Sequence, residues 1–377
     1  MKTQQEKKIL ISGASIAGLS TAFWMNKMGY KVTVVELASQ PRTAGAAIDI
    51  RGLDMDIVDI IKQMDIFDEL KLNRLHVELI EYKNADDSTA GSISLKTNTA
   101  ELPDDEIEIE RDFFIDLLFN RLQIDVEFVF NNSVINLTES ATEVTAIFKN
   151  GEQRTFDYVF GCDGIHSVVR KLWFGEETEY AHFLEAYFSI TILNKLLIPQ
   201  KTMQMYNVPN KAIMLNAYKN KTDVIFCFAT ENEIDYDYRD VAQQREIILR
   251  QFSGESWRTE ELLEELQQSG NFYFDKFCQI KMPSWTKGRV ALVGDAGYCA
   301  SPAAGMGASL SIIGAATLAN SLQKHGEYFE QAFMDYNKIL RPFVNKIQAS
   351  AAENVTNNFI PKTEEAIQER NEKAGRF

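Results

Sequence analysis

The sequence predicts an α/β fold in which a parallel sheet is combined with a second domain of mixed sheet and with a long C-terminal helix. Three observations predict it: a strand-helix-strand unit at the N-terminus, two later strands that each end at a Gly/Asp pair, and a central region of short alternating strands. The chain has 377 residues, of which 45% are hydrophobic and 25% are charged. This is the composition of an ordinary globular protein, and the length suggests about two to three domains.

The charge of the chain restricts its partners. Lys and Arg number 39 and Asp and Glu number 54, so the formal net charge is −15. Nucleic acids and anionic membranes attract basic surfaces, and we therefore predict no nucleic-acid partner and no stable membrane anchoring. The four cysteines and four histidines show neither metal-binding nor disulfide spacing, which favours a reducing, cytoplasmic location and no metal site.

The N-terminal region predicts a β-α-β unit of about thirty residues. An apolar strand over residues 8–12 leads through a small-residue turn into a helix that continues to Met28, and Gly29 ends this helix before a second strand over residues 31–36. A pyrophosphate fits the N-terminus of such a helix, because free amides and the helix dipole favour negative charge there. A signal peptide is the alternative for residues 1–24, but it leaves the second strand unexplained.

Five residues of this turn are predicted to line a nucleotide: Gly13, Ser15, Ile16, Ala17 and Gly18. Gly13 permits the tight turn and Gly18 permits close packing of the helix on the strand, whereas Ser15 stands where the fingerprint has its middle glycine. Glu36, which ends the second strand, is placed to accept hydrogen bonds from ribose hydroxyls. Similar glycine-rich turns also occur in α/β proteins that bind no nucleotide, so the unit alone leaves both possibilities open.

Two later motifs have the same strand-to-turn character. A strand that begins at Phe156 breaks at Asp163 and Gly164 into a new helix. A second strand ends at Asp295 and continues through a turn of small residues into an apolar helix predicted over residues 310–322. The residues of this turn that could approach a ligand are Pro302, Gly305, Gly307 and Ala308.

In this order and spacing, the three motifs resemble those of the flavin-dependent aromatic hydroxylases, the group A flavoprotein monooxygenases typified by para-hydroxybenzoate hydroxylase. The tetracycline-inactivating monooxygenases belong to the same group. The resemblance extends along nearly the whole chain, although Tyr298 stands where a histidine is common and Gly314 where an acid is frequent. It implies a Rossmann-like domain that binds FAD non-covalently, with NADPH or NADH as a transient co-substrate.

The resemblance also implies roles for single residues. Asp295 would contact the ribityl chain of FAD, and Asp163 with Gly164 would support both FAD and the transient nicotinamide site. Arg111 matches the arginine that opens a helix beside the flavin, and Asp49 is the polar contact in a segment that passes along the isoalloxazine ring. Asp295 also has an ordinary structural interpretation as a helix cap, Arg111 as a partner in a surface salt bridge, and the glycines as residues of ordinary turns.

The turn before residue 310 has chemistry that agrees with a flavin. Reduced flavin carries negative charge near N1 and the C2 carbonyl, and the first amides of the following helix would stabilise that charge. Gly305 and Gly307 would let the backbone approach a flat ring closely, and Pro302 would fix the preceding turn.

The central region predicts a largely antiparallel sheet interrupted by two helices, over residues 240–252 and 259–268. Together with the resemblance, this pattern divides the chain into a discontinuous FAD-binding domain, a substrate domain and a C-terminal helical segment. The FAD-binding domain is expected to comprise residues 1–74, 104–171 and 281–325, the substrate domain residues 75–103 and 172–280, and the helical segment residues 326–377. We predict that Pro342 and Pro361 break this last segment.

Apolar side chains recur along the predicted strands of the substrate domain: Met203, Met205, Met214, Phe226 and Phe228. They could line a pocket for a flat aromatic substrate. A stripe of this kind is more often part of the hydrophobic core, so both interpretations remain open.

The reaction that the resemblance implies is a hydroxylation. NAD(P)H would reduce FAD, oxygen would add at C4a of the flavin, and the resulting hydroperoxide would deliver one oxygen atom to an aromatic or polycyclic phenol or enol, tetracycline among the candidates. The protein would supply positioning and a dry cavity, and no side chain is singled out as an acid or base. The alternatives are a non-oxygenating flavin reductase, an FAD-binding sensor and an inactive paralogue. We expect the protein to act as a monomer.

Overall fold

The computed structural model describes residues 6–41, 45–95, 103–355 and 359–374. The strands are β1 (Lys8–Ser12), β2 (Lys31–Val35), β3 (Ile48–Arg51), β4 (Leu79–Lys83), β5 (Thr89–Ser94), β6 (Glu106–Ile109), β7 (Glu127–Val129), β8 (Val134–Glu139), β9 (Val144–Phe148), β10 (Gln153–Phe156), β11 (Tyr158–Gly161), β12 (Ala181–Leu193), β13 (Thr202–Val208), β14 (Lys211–Tyr218), β15 (Lys221–Ala229), β16 (Phe272–Ile280), β17 (Thr286–Lys287) and β18 (Val290–Leu292). The α-helices are α1 (Ile16–Lys27), α2 (Ile57–Gln63), α3 (Phe67–Leu72), α4 (Arg111–Leu122), α5 (Val168–Trp173), α6 (Val241–Phe252), α7 (Thr259–Gln268), α8 (Asp295–Tyr298), α9 (Gly307–His325), α10 (Phe329–Asn354) and α11 (Glu364–Ala374).

A six-stranded sheet contains the N-terminal unit. Its order is β17-β18-β11-β1-β2-β7, and all neighbours are parallel except β17 and β18. After their first residues β1 and β2 are wholly buried, as expected for parallel strands covered by helices on both faces. Gly29 follows α1 with a φ of +87°, a left-handed conformation that suits glycine at a helix end. The predicted β-α-β unit is confirmed.

A seven-stranded sheet follows the order β16-β12-β15-β14-β13-β4-β5, and only β13 and β4 pair in parallel. The helices α6 and α7 cover one face with buried Ile248, Phe252 and Leu262. The other face packs against Ala303 and neighbouring apolar groups. This sheet therefore has one face closed by helices and one face turned toward the turn before α9.

The C-terminal region forms a long helix, as the sequence predicts, but one predicted break is wrong. Helix α10 runs through Pro342 without interruption, although proline removes one backbone hydrogen bond and crowds the preceding turn. Buried Tyr336 and Leu340 before the proline and Val344 and Ile347 after it hold both halves against the core. In the described ranges no helix, α10 included, is both long and apolar enough to cross a membrane.

Tyr298 and Gly314, two positions at which the chain departs from the family pattern, lie against each other in the structure. A Cβ at Gly314, inside α9, would overlap the hydroxyl group of Tyr298. This hydroxyl forms a hydrogen bond of 3.0 Å with the Tyr336 hydroxyl, which lies 2.9 Å from the Leu292 carbonyl as its acceptor. Because Tyr298 fills the space beside α9, residue 314 must lack a side chain.

Candidate active site

Three of the predicted motifs follow neighbouring strands of the six-stranded sheet. β1 leads into Gly13, β11 leads into Asp163, and β18 leads into Asp295. Because the carboxyl ends of parallel strands meet at one edge of a sheet, the three motifs lie side by side there. Ligands of α/β folds bind at this edge, so the strand order alone brings the motifs to one candidate site.

The turn after β1 depends on two glycines. Gly13 has a φ of +104°, and a Cβ there would lie 2.5 Å from the carbonyl oxygen of Cys162. A Cβ at Gly18 would overlap the carbonyl oxygen of Gly13. Helix α1 can therefore approach β1 and β11 only while both positions lack side chains.

The start of α1 is available to a ligand. Ser15, the residue before the helix, makes no side-chain cap, and the first turn holds no acidic residue in the part of the chain that the structure describes. The amide groups of this first turn belong to Ile16, Ala17 and Gly18. Amides at a helix N-terminus that lack a cap suit the oxygen atoms of a phosphate.

Arg111, the first residue of α4, reaches this turn. Its Nη2 donates to the Ser15 hydroxyl at 2.9 Å, and a Cβ at Gly45 would lie 2.7 Å from its Cδ. Burial raises the pKa of Asp295, and the positive charge of Arg111 opposes that increase. Arg111 therefore connects the first turn, the segment before β3 and the Gly-Asp motif.

Asp295 begins the short helix α8 between the starts of α1 and α9. The preceding Gly294 has a φ of +69°, and a Cβ there would lie 2.9 Å from the Cβ of Ala17 and 2.8 Å from the Oγ of Ser311. Asp295 is the first residue of α8 and not its cap. The backbone thus presents this carboxylate at the place where the two longer helices begin.

The turn before α9 brings its backbone to the same place. Pro302–Ala304 forms a 3₁₀ turn, Gly305 follows with a φ of +60°, and α9 begins at Gly307, three residues before its predicted start. A Cβ at Gly307 would meet no atom within 4 Å, so this backbone faces open space. Together with Ala308, it offers first-turn amides, and in the described structure neither a side-chain cap nor an acidic residue competes for them.

Asp163 caps a helix in the structure. Its carboxylate accepts hydrogen bonds from the amides of Val168 at 2.9 Å and Val169 at 3.1 Å, and from the Ser167 hydroxyl. The adjacent Gly164 has a φ of +83° and faces open space. The side chain of Asp163 therefore has a structural role as an acceptor for the first amides of α5. Its support of FAD or nicotinamide stays a prediction.

Glu36 is used by the backbone of the nucleotide turn. Its two carboxylate oxygens accept from the amides of Ala14 and Ala38, each at 2.9 Å, and the residue is 8% exposed. The carboxylate therefore orders the turn after β1. Its contact with a ribose stays a prediction.

The comparisons with known proteins agree with this geometry. A family model described as FAD binding domain matches residues 6–350. The chain belongs to this family. It is 34% identical over 373 residues to a flavin-dependent monooxygenase from an unknown prokaryotic organism, with 97% of this chain and 94% of the relative covered.

Two further matches have the same level of identity. A flavin-dependent monooxygenase from Legionella longbeachae is 34% identical over 376 residues, again with 97% of this chain and 94% of the relative covered. The crystal structure of tetracycline destructase Tet(51) matches with a TM-score of 0.85 and 34% identity, covering 98% of this chain and 96% of that chain. This protein is therefore an FAD-dependent monooxygenase.

The structure of the monooxygenase separates the apolar residues that were predicted to line a substrate pocket. Met205 and Met214 lie on the face of the seven-stranded sheet that is turned toward the turn before α9. We call it the open face, because α6 and α7 cover the opposite face. Met203 shares the open face by strand alternation. Phe226 and Phe228 lie on the opposite face among residues covered by α6 and α7. For these two phenylalanines the core interpretation applies, and the three methionines remain candidates for substrate contact.

A polar network connects the Asp-Gly turn of the monooxygenase to β16. Tyr273 donates to Asp275 at 2.7 Å, and the two ring nitrogens of His166 lie 3.4 Å from Asp275 and 3.0 Å from Glu177. Arg170 lies 3.0 Å from Glu177. Burial lowers the pKa of His166, but its two acidic neighbours outweigh burial and raise the pKa to about 9. His166 is therefore positively charged at neutral pH and joins the two sheets.

Four polar residues that the sequence analysis did not join form a second group. Asp49 and Glu108 are partners in the pairing of β3 with β6, and Asn216 and Asp223 are partners in the pairing of β14 with β15. The Asn216 side chain hydrogen-bonds to Glu108, which links the two pairs. We call these four residues the acceptor cluster. Of the four, sequence reasoning gave a site role only to Asp49. Asn216 was recognised as a polar residue of the strands, but the sequence did not show which face it occupies, and the alternating acids of β6 show no partner until the strands are paired.

Burial controls the acids of the acceptor cluster. It raises the pKa of Glu108 to about 7, and the negative charge of Asp49 acts in the same direction. It also raises the pKa of Asp223 to about 7, although hydrogen bonds from Tyr218 and from the Ala47 amide oppose the increase. Both acids are therefore largely protonated below pH 7.

These raised pKa values predict a pH-dependent stability. Between pH 4 and pH 7 the folded state holds protons on Glu108 and Asp223 that the unfolded state has lost, so the free energy of unfolding should fall as pH rises. The contribution is at most about 3 kcal/mol for Glu108 and about 4 kcal/mol for Asp223. Glu108→Gln removes one contribution, so in urea unfolding of the FAD-loaded protein the variant should gain stability over the wild type between pH 5 and pH 8. If the free energies of unfolding of the variant and the wild type differed by the same amount at pH 5 and at pH 8, this expectation would be contradicted.

Proposed function

We propose that this monooxygenase hydroxylates a planar, electron-rich aromatic or polycyclic phenol or enol, with NADPH or NADH as electron donor. The observation that carries the proposal is the position of the seven-stranded sheet, whose open face bears Met203, Met205 and Met214 and packs against Ala303, beside the turn that begins α9. Methionine side chains adapt to flat apolar molecules without requiring a charge. A substrate held on this face would lie next to the candidate flavin site.

The described residues fit FAD. Its pyrophosphate suits the amides at the start of α1 together with the guanidinium of Arg111, and its ribityl hydroxyls suit the carboxylate of Asp295. The first amides of α9, beginning at Gly307, suit the pyrimidine edge of the ring, where negative charge collects on reduction. When bound, FAD supplies electron transfer and oxygen activation, which no protein side chain provides.

The chain itself supplies position and exclusion of water. The closed face of the seven-stranded sheet is sealed by α6 and α7, so the sheet is a rigid wall against which a flat substrate can be oriented. Apolar groups on its open face would limit the water that reaches the site, and a dry site suits the oxygen transfer that bound FAD would supply. We assign no side chain as acid or base.

The test is a turnover screen with FAD-loaded protein. Simple phenols, polycyclic phenols and tetracyclines are offered with NADH or NADPH, and the consumption of the nicotinamide is followed together with product mass. Tetracycline is tested first, because Tet(51), a structure of 34% identity, is named a tetracycline destructase. We expect faster NAD(P)H oxidation with at least one class and a product that gains one oxygen atom.

Other outcomes would count against the proposal. Oxidation of NAD(P)H without an oxygenated product identifies a flavin reductase, and no stimulation by any compound favours an FAD-binding sensor or an inactive paralogue. Protein that is colourless and fails to take up added FAD would contradict the flavin site itself. Oxygenation of a non-aromatic compound alone would contradict the substrate class.

A further inference from the structure

We propose that the acceptor cluster of Asp49, Glu108, Asn216 and Asp223 binds an ammonium group of the substrate. The inference rests on the proposed function and deepens it, because it selects amine-bearing members of the aromatic class. Three observations carry it: the place of the cluster between two sheets, a buried acceptor without a donor, and an excess of carboxylates over paired cations.

The cluster lies where substrate and flavin would meet. A Cβ at Gly305 would lie 3.5 Å from the Oδ2 of Asp49, so this carboxylate borders the turn before α9. Asn216 is paired across the strands with Met203, one of the candidate substrate contacts. Asp49 and Glu108 remain partly accessible, whereas Asn216 and Asp223 are 8% and 1% exposed. The cluster therefore has an accessible side and a buried floor.

The floor contains a hydrogen-bond acceptor that the described chain leaves unused. The Oδ1 of Asn216 is buried and has no hydrogen-bond partner among the described residues, although its amide group contacts Glu108. Buried polar atoms in native proteins are nearly always satisfied, so an unused acceptor calls for a donor from elsewhere. Since the neighbouring groups are carboxylates, the cluster as a whole calls for a ligand with several N–H donors.

The charges favour a cation. Asp49 pairs with Arg51 at 3.0 Å, while Lys221 lies 2.7 Å from Glu110 and 3.0 Å from Asp112. Within the described ranges, no ion pair joins a basic side chain to Glu108 or Asp223. An ammonium group brings one positive charge and two or three donors, which matches two unpaired acids and an amide oxygen. The described His, Cys, Asp and Glu side chains nowhere form a group that could hold a metal ion.

Binding should depend on pH. An ammonium group requires ionised carboxylates, and Glu108 and Asp223 hold protons below about pH 7, so affinity should increase from pH 6 to pH 8 while the amine remains charged. Some of the charged and titratable groups that face the two acids raise their pKa values, and others lower them. They are Asp49, Arg51, Glu110, Tyr218 and Lys221.

Matched ligand pairs test the proposal in FAD-loaded protein. Tyramine is compared with 4-ethylphenol, and dopamine with 4-ethylcatechol, so that the amine-bearing member of each pair carries a primary ammonium group with three N–H donors. Dissociation constants at pH 8 are measured from the change in the flavin absorbance spectrum and by calorimetry, so turnover is not needed. We expect the amine-bearing member of at least one pair to bind about tenfold more tightly, as one charge-assisted hydrogen bond provides.

Variants locate the effect. Glu108→Gln and Asp223→Asn keep the shape of the side chains and should each reduce the preference for the amine to less than about threefold. Glu264→Gln is the control, because Glu264 is exposed on α7, which covers the other face of the seven-stranded sheet. This control should leave the preference unchanged. Flavin content and far-UV circular dichroism verify that each variant is folded and loaded.

The outcomes separate this inference from the proposed function. Equal binding within both pairs, failure of every amine to bind, or a preference that survives in both acid variants would overturn the ammonium site. If an oxygenated product still forms, the proposed function stands without it. A preference for the amine that disappears in the acid variants, with no oxygenated product, supports the ammonium site and contradicts the proposed reaction.

Discussion

Alanine at Gly18 is expected to leave most of the purified protein without FAD and to lower its free energy of unfolding by about 3 kcal/mol. The added methyl group would overlap the carbonyl oxygen of Gly13, which belongs to the backbone and has little room to move. Helix α1 would have to shift away from β1, and its first amides would shift with it. Urea unfolding and the ratio of flavin to protein absorbance measure the two effects.

Gly270→Ala is the matched control for this substitution. A Cβ at Gly270 would meet no atom within 4 Å, so the same chemical change should leave stability and flavin content nearly unaffected. If Gly18→Ala also retained wild-type stability and full flavin content, the close approach of α1 to the turn after β1 would not be required.

Removal of the Asp295 carboxylate is the second large effect that we expect. Asp295→Ala should weaken FAD binding by about tenfold or more, because it removes the half-buried carboxylate that we propose to contact the ribityl hydroxyls. Glu106→Ala removes an exposed acid outside the motifs and should retain flavin. Both variants are passed through gel filtration, the flavin that stays bound is measured, and free FAD is titrated back by fluorescence.

The Asp295→Ala substitution should weaken flavin binding without lowering the stability of the flavin-free protein. Asp295 does not cap α8, and its carboxylate accepts a hydrogen bond from the nearby Cys299 side chain. The alanine variant should therefore unfold at a similar urea concentration once both proteins are stripped of FAD. Equal flavin occupancy in the two variants would count against Asp295 as a cofactor contact.

Local chemistry explains what the sequence could predict. The turns before and after α1 were predictable because glycines stand there. Gly13 and Gly29 both adopt left-handed φ values in the structure, which few other residues tolerate. The strands of the second sheet were predictable from alternation, and the start of α4 at Arg111 followed from the family resemblance. Each of these features depends on residues that are neighbours along the chain.

Long-range packing explains what the sequence could not predict. Alternation shows that Phe226 and Met214 lie on faces of strands, but only the pairing and the covering helices decide which face is closed. The acceptor cluster needs β6 to meet β14 and β15, so no short segment contains its pattern. Pro342 is tolerated because the packing on both sides of it outweighs a local preference.

The strand order has a consequence for how the protein is made. The six-stranded sheet takes strands from near residue 8, residue 128, residue 160 and residue 291, and the seven-stranded sheet combines residues 79–94 with residues 181–280. A ribosome must therefore release about three-quarters of the 377-residue chain before either sheet can close. Contacts between residues that are distant in sequence form slowly. Until they form, the edges of the strands remain unpaired and exposed. We therefore expect nascent chains to need chaperones, and fragments cut between the two sheets to aggregate instead of folding as separate halves.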